Sequence, residues 1–285
     1  MISERSRTAH SESADQLARR ALDALRGTGG AAVAAIHVEA AAAETGGDPG
    51  VALGAVRILG ADVLAPYVLT GQVPPAGDTA AIALSLSALP PDETPPPAPP
   101  EGTEETWVMA WIDWGLATVL ARLDPANSPV HSAPLPQGPP RCDDAAPRNL
   151  PPTTDAADGD RPGGPGTPVQ EGTVPGTPAQ EGWVSWSVRM GKLASLALPG
   201  LDGPVHDAAR AGALGLARGA TRATLRRDHP TAARITRWLA WLHADGTRLP
   251  LDPAPLTENI GLLGGGDRLA LDTAIARRLL GLEDI

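Results

Sequence analysis

Apolar positions recur at helical spacing through most of the chain, and the helices they predict fall into two groups. In the first group, Leu17, Ala21, Leu22 and Leu25 form one stripe. Ser13 to Gln16 reads as a capping box at its start, and Gly27 as its stop. Ala31–Glu44 is an alanine-rich helix. Asp48-Pro49 opens a third helix as an N-cap acid with proline at the first helical position, and Val51, Ala55, Ile58, Leu59, Asp62 and Val63 follow. Asp78 to Leu89 fits a helix capped by Asp78 and also the alternation of a strand, with helix preferred.

Thr103–Arg122 is the core element of this first group. Thr103 caps it, Glu104 and Glu105 suit its N-terminal end, and Arg122 suits its C-terminal end. Between them the segment is apolar nearly all round, with Trp107, Trp111 and Trp114 at spacings of four and three and Asp113 as the one internal charge. Such a helix is predicted to be buried. As an alternative, the three tryptophans form an aromatic wall for a partner or a flat ligand, with Asp113 orienting it or marking a solvent edge.

The second group begins at Trp183. Trp183, Trp186, Met190, Leu193 and Ala197 make a helical stripe, although Val184, Trp186, Val188 and Met190 also fit a strand face. Gly203-Pro204 starts a helix expected to run to about Arg227, with small residues at Ala211, Gly215, Gly219 and Ala223 that permit close helix approach. Pro230 sits at the start of the next, whose stripe is Ile235, Trp238, Leu239 and Leu242. A proline-rich loop then leads to Gly264-Gly-Gly-Asp267, where Asp267 caps a last helix.

Between the groups lies a stretch that cannot build a core. From Asp124 to Gly182 the sizeable aliphatics are Val130, Leu135, Leu150, Val169 and Val174, with no aromatic. Ordering a backbone costs about 1–2 kcal/mol per residue, more than so few side chains offset. The expectation is a disordered acidic linker over 124–182, ending in a tandem repeat (Pro165–Gly172, Pro175–Gly182) that reads as a spacer. The predicted organisation is therefore a disordered N-terminus over 1–12, a helical domain over 13–123 with a Pro-rich loop at 90–102, the linker, and a helical domain over 183–285. The fold class is mostly α. The alternative is α+β, with a small antiparallel sheet from 80–89, 106–114 and 183–190.

Composition narrows the function classes. The net charge is −10, which disfavours generic binding to nucleic acid or an anionic membrane. The charge is uneven: residues 1–182 carry 10 arginines against 23 acids, residues 183–285 carry 13 basic groups against 10 acids. Cys142 is the single cysteine, so neither an intrachain disulfide nor a cysteine-rich zinc site is available, and no metal or cofactor is expected. Twenty-two arginines against one lysine reflect GC-rich coding of a bacterial kind. Neither a signal peptide nor an uncharged apolar run of membrane-spanning length is read, giving a soluble cytoplasmic protein without a membrane partner.

Three sets of candidate residues remain. Trp107, Trp111, Trp114, Asp113, Trp183 and Trp186 are candidates for docking a protein partner. Arg218, Arg222, Arg226, Arg227, Arg234 and Arg237 form a basic zone with a loose helix-turn-helix outline, suited to a phosphate backbone. His206, His229 and His243, each with an aspartate nearby, are acid–base candidates that act only if the fold gathers them. The leading expectation is a non-enzymatic interaction or regulatory protein with a protein partner. The alternatives are a nucleic-acid-associated regulator and an enzyme with a His/Asp site.

Overall fold

A computed structural model describes residues 4–30, 32–43, 48–90, 94–125, 134–136, 138 and 182–282. The linker expected over 124–182, with Cys142 and the repeat, falls almost wholly outside them. Among the described residues the fold is helical without a strand. The segments 80–89, 106–114 and 183–190, weighed as a sheet, lie in helices or at their ends.

The front part comprises α1 (Glu4–Leu25), α2 (Ala34–Ala43), α3 (Pro49–Leu59), a 3-10 turn (Gly60–Leu64), α4 (Ala65–Thr70), α5 (Ala76–Ala88) and α6 (Glu104–Leu123). The back part comprises α7 (Trp183–Lys192), a 3-10 turn (Ala194–Leu196), α8 (Pro204–Ala211), α9 (Ala213–Leu225), α10 (His229–Ala244), α11 (Pro253–Leu263) and α12 (Asp267–Leu279). Local chemistry sets many of these ends. Asp48 accepts from the Gly50 N–H at 2.8 Å, Thr103 from Thr106 at 3.3 Å, and Asp228 from Thr231 at 3.2 Å, each satisfying an orphan donor of a first turn.

Several expectations are corrected. The first helix starts at Glu4, so residues 4–12 are helical and Ser13 is not a cap: its hydroxyl bonds His37 Nε2 on α2 at 2.9 Å. Asp78 does not cap its own helix. Its carboxylate accepts from the Val33 and Ala35 N–H groups, both at 2.8 Å, and so caps α2 across space, while Tyr67 donates to the same carboxylate. The helix expected from Gly203 to Arg227 breaks at Gly212, where the Trp186 indole leaves no room for a side chain: a Cβ there would lie 2.2 Å from Trp186 Cη2. The proline-rich loop after Gly246 contains α11. Pro253 falls in its first turn, where an amide donor has no intrahelical acceptor to lose, and Asp252 caps it through the Ala254 N–H at 2.9 Å. Gly266 occupies the cap position of α12, and Asp267 is its first-turn acid.

One hydrophobic cluster runs through both parts, from Leu17, Leu59 and Trp111 in front to Trp186, Trp238 and Ile275 behind. At the seam α1 packs on α12, and α6 packs on the Ala194–Leu196 turn. The closeness is steric fact: a Cβ on Gly115 would lie 2.3 Å from Leu196 Cδ2. Gly219 lets α9 approach α7 in the same way, with Ser187 2.4 Å from the place of its absent Cβ. The run Pro49–Thr70 has the length and hydropathy of a membrane-crossing segment. It is nevertheless broken by a 3-10 turn, carries Arg57 and Asp62 in ion pairs, and is mostly enclosed by the other helices.

Candidate functional site: a cleft at the seam

The seam is bolted by charge. Arg237 on α10 is fully buried. It meets Asp62 Oδ1 of the front 3-10 turn at 2.5 Å and Asp272 Oδ1 of α12 at 3.2 Å. Arg268 repeats the bridge from the other side, reaching Asp62 Oδ2 at 2.5 Å and Asp272 Oδ2 at 3.3 Å. Arg234 adds a longer contact to Asp272 at 3.8 Å. Burial alone would raise the Asp62 carboxyl, but the charges and hydrogen bonds of Arg237 and Arg268 outweigh it and hold it below the usual carboxylate range. Asp62 lies on the apolar stripe of its own segment, and Arg237 lies inside the apolar run of α10.

Above this network opens a cleft of about 730 Å³. Its apolar wall is Ala14, Ile58, Leu59, Val108, Met109 and Ile112, all from the front part. Its cations, Lys192, Arg234 and Arg268, come from the back part together with Ser195, while His10 and Ser11 of α1 add polar groups from the front. Asp15, Glu104 and Glu105 stand on the front rim. Glu104 is neutralised by Lys192 at 2.6 Å and Arg189 at 3.4 Å, and those contacts, the hydrogen bond from Lys192 foremost, lower its carboxyl. Ser195 is 3% exposed, and among the described residues its Oγ has no hydrogen-bond partner. A buried hydroxyl left so costs about 1–3 kcal/mol. Gly60 (φ +63°) makes the tight approach possible, since a Cβ there would lie 2.5 Å from Ile112 Cγ2 and 3.3 Å from Ser195 Oγ.

The residues singled out in the sequence go elsewhere. Trp107, Trp111 and Trp186 are buried, whereas Trp114 and Trp183 are partly exposed. Trp111 meets Trp107 and Trp114 edge to face, with centroids 6.2 and 5.6 Å apart. They fill the core because their helix is covered on nearly every side. Asp113 is not a solvent edge: it is buried, and Arg57 pairs with it, Nε to Oδ1 at 2.9 Å.

Of the basic zone, Arg218, Arg226 and Arg227 are exposed and Arg222 is half-buried. Arg237 leaves the zone for the interior. Arg234, half-buried, belongs to the cleft.

The three histidines do not gather. His229 and His243 stand near opposite ends of α10, about 21 Å apart at 1.5 Å per residue. His206 is buried between Trp238 and Trp241, at 5.5 and 4.9 Å, with Nε2 3.0 Å from the Leu196 carbonyl. Burial lowers its pKa and keeps it neutral. Among the described residues no cluster of histidine, cysteine and acidic side chains has a metal-holding arrangement. No protein-family model, curated protein or solved structure matches the chain.

Proposed function

We propose that the chain is a non-enzymatic regulatory protein that receives a small organic molecule in the seam cleft. The observation that supports this reading is the Ser195 hydroxyl, buried without a partner at the edge of a 730 Å³ hollow whose two sides come from different parts of the chain. An occupant touches α3 and α6 on one side and α7, α10 and α12 on the other, so binding strengthens the hold of one part on the other. This reading carries over the regulatory class read from the sequence and takes the seam cleft, in place of the tryptophan faces, as its site. The test is thermal unfolding in the presence of fractionated small-molecule extract, comparing the wild type with Ser195→Leu, which removes the hydroxyl and adds apolar bulk at the edge of the hollow. A fraction that raises the wild-type Tm, spares the variant and is recovered chemically unchanged supports the proposal. Turnover of the bound compound, or equal shifts for both proteins, overturns it.

A second reading is a nucleic-acid-associated regulator, favoured by Arg222, Arg226 and Arg227 at the end of α9, which among the described residues pair with no carboxylate. With three phosphate contacts, the affinity for duplex DNA falls with salt at a log–log slope of about −3. Fluorescence anisotropy across 50–300 mM salt measures it, and binding that is unmoved by Arg222→Glu with Arg226→Glu ends the idea.

A further inference from the structure

We infer that the ligand of the seam cleft is a small organic monoanion, a carboxylate with an apolar body. The inference rests on the cleft reading above and deepens it. The buried network holds three guanidiniums, Arg234, Arg237 and Arg268, against two carboxylates, Asp62 and Asp272, so one positive charge is left over. The deepest arginine, Arg237, is spent on both aspartates. The excess therefore falls to the two that line the cleft, Arg234 with 38% and Arg268 with 22% of its side chain exposed. Among the described residues Arg234 makes only its long Nε contact to Asp272, and Arg268 uses Nε and Nη2. Free N–H donors of both side chains are thus available in the cleft that Ser195 also lines.

Opposite charge on the rim does not cancel this. Asp15 and Glu105 are exposed, where water and salt screen them, and Glu104 is already met by two cations. The field at the floor acts in a drier medium and is stronger per charge. One excess charge selects a monoanion, because a phosphate dianion would bring a second negative charge against Asp62 and Asp272. The planar guanidinium fork matches a carboxylate in two-point contact. The apolar wall of Ile58, Val108, Met109 and Ile112 then takes a hydrocarbon body.

The experiment uses octanoate, octyl phosphate, octylamine and 1-octanol as matched probes on the full chain, read by calorimetry and thermal shift. The expected result is that octanoate binds tightest. Arg234→Gln weakens it about tenfold or more, the scale of a lost charge-assisted contact, while the free protein's Tm stays within about 2 °C. Arg234→Lys, which keeps the charge and loses the fork, retains part of the affinity, and Ser195→Ala weakens binding to a lesser degree. Tighter binding of octylamine, octanol or octyl phosphate overturns the monoanion and leaves the cleft reading standing, provided Ser195→Leu blocks that probe. Octanoate binding indifferent to Arg234→Gln overturns the assigned floor. If no probe binds and the extract fractions also leave the wild type unmoved, both readings fall together.

Discussion

Replacing Asp62 by asparagine isolates the electrostatic bolt between the two parts. The side chains have the same shape, so no cavity opens and the change is one of charge and hydrogen-bond sense. In the wild type each carboxylate oxygen meets a guanidinium at 2.5 Å, Oδ1 with Arg237 and Oδ2 with Arg268. The asparagine keeps one neutral acceptor and turns an NH₂ toward a group that can only donate. Arg237, fully buried, is left with Asp272 as its one charged partner and the Ala197 carbonyl at 3.4 Å. Removing one member of a buried ion pair costs about 3–5 kcal/mol. At about 2–4 °C per kcal/mol for a chain of this size, Tm drops by roughly 10 °C. Urea unfolding followed by circular dichroism gives the free energy, with the m-value unchanged because the surface exposed on unfolding is the same. Arg237→Met and the double variant complete a cycle, and a coupling of about 2 kcal/mol is expected, the double costing less than the sum. A Tm for Asp62→Asn within about 1 °C of wild type, or strict additivity in the cycle, would show that the carboxylate is not clamped between the two arginines.

Other positions yield equally direct checks. Gly212→Ala drives a methyl into the Trp186 indole and is expected to cost about 1–3 kcal/mol, with an altered near-ultraviolet dichroism signal; an unchanged signal and Tm refute the close approach. Asp78→Ala removes the cap of α2 and an acceptor of the Tyr67 hydroxyl, a loss of about 2–4 kcal/mol by urea unfolding, whereas Tyr67→Phe, which removes one of the three donors, is expected to cost about 1 kcal/mol; equal costs argue against the shared carboxylate. Burial, helped by Arg20, lowers His37 from 6.5 to about 4, and burial also keeps His206 neutral. The unfolded chain takes up these protons first, so this stability is full above pH 6.5 and is lost as pH falls toward 4; Tm measured across that range should decline, and less steeply in His37→Gln.

What the sequence disclosed was mainly local. The caps Asp48 and Thr103 were legible because a short polar side chain before an apolar run serves the nearest amides. The buried α6 was legible because its apolar residues leave no polar face. Long-range relations were hidden. Asp78 caps a helix 43 residues away, and nothing within its own segment marks that role. Gly212 breaks a helix because of an indole from α7. Pro253 obscured α11 because proline reads as a breaker until its place in the first turn is known. The cleft had one visible trace, a charge at Asp62 on an apolar stripe. Arg237, by contrast, was read with its basic neighbours as a surface group, since periodicity alone cannot separate an exposed arginine from one paired in the interior. Ser195 left no trace: it stands out only through the partner it lacks.

Among the described residues, the core and the ionic bolt are built from residues before 139 and after 181. Cutting the peptide within that interval leaves the described core contacts and the bolt intact, and the joined chain only sets the concentration of one half seen by the other. A chain opened by a protease in the interval is expected to stay a single particle, its halves co-eluting until salt, acid or denaturant releases Asp62 from Arg237. The same property makes the protein a natural pair of complementing fragments: two separately expressed halves, each dark on its own, would report their meeting through a split reporter.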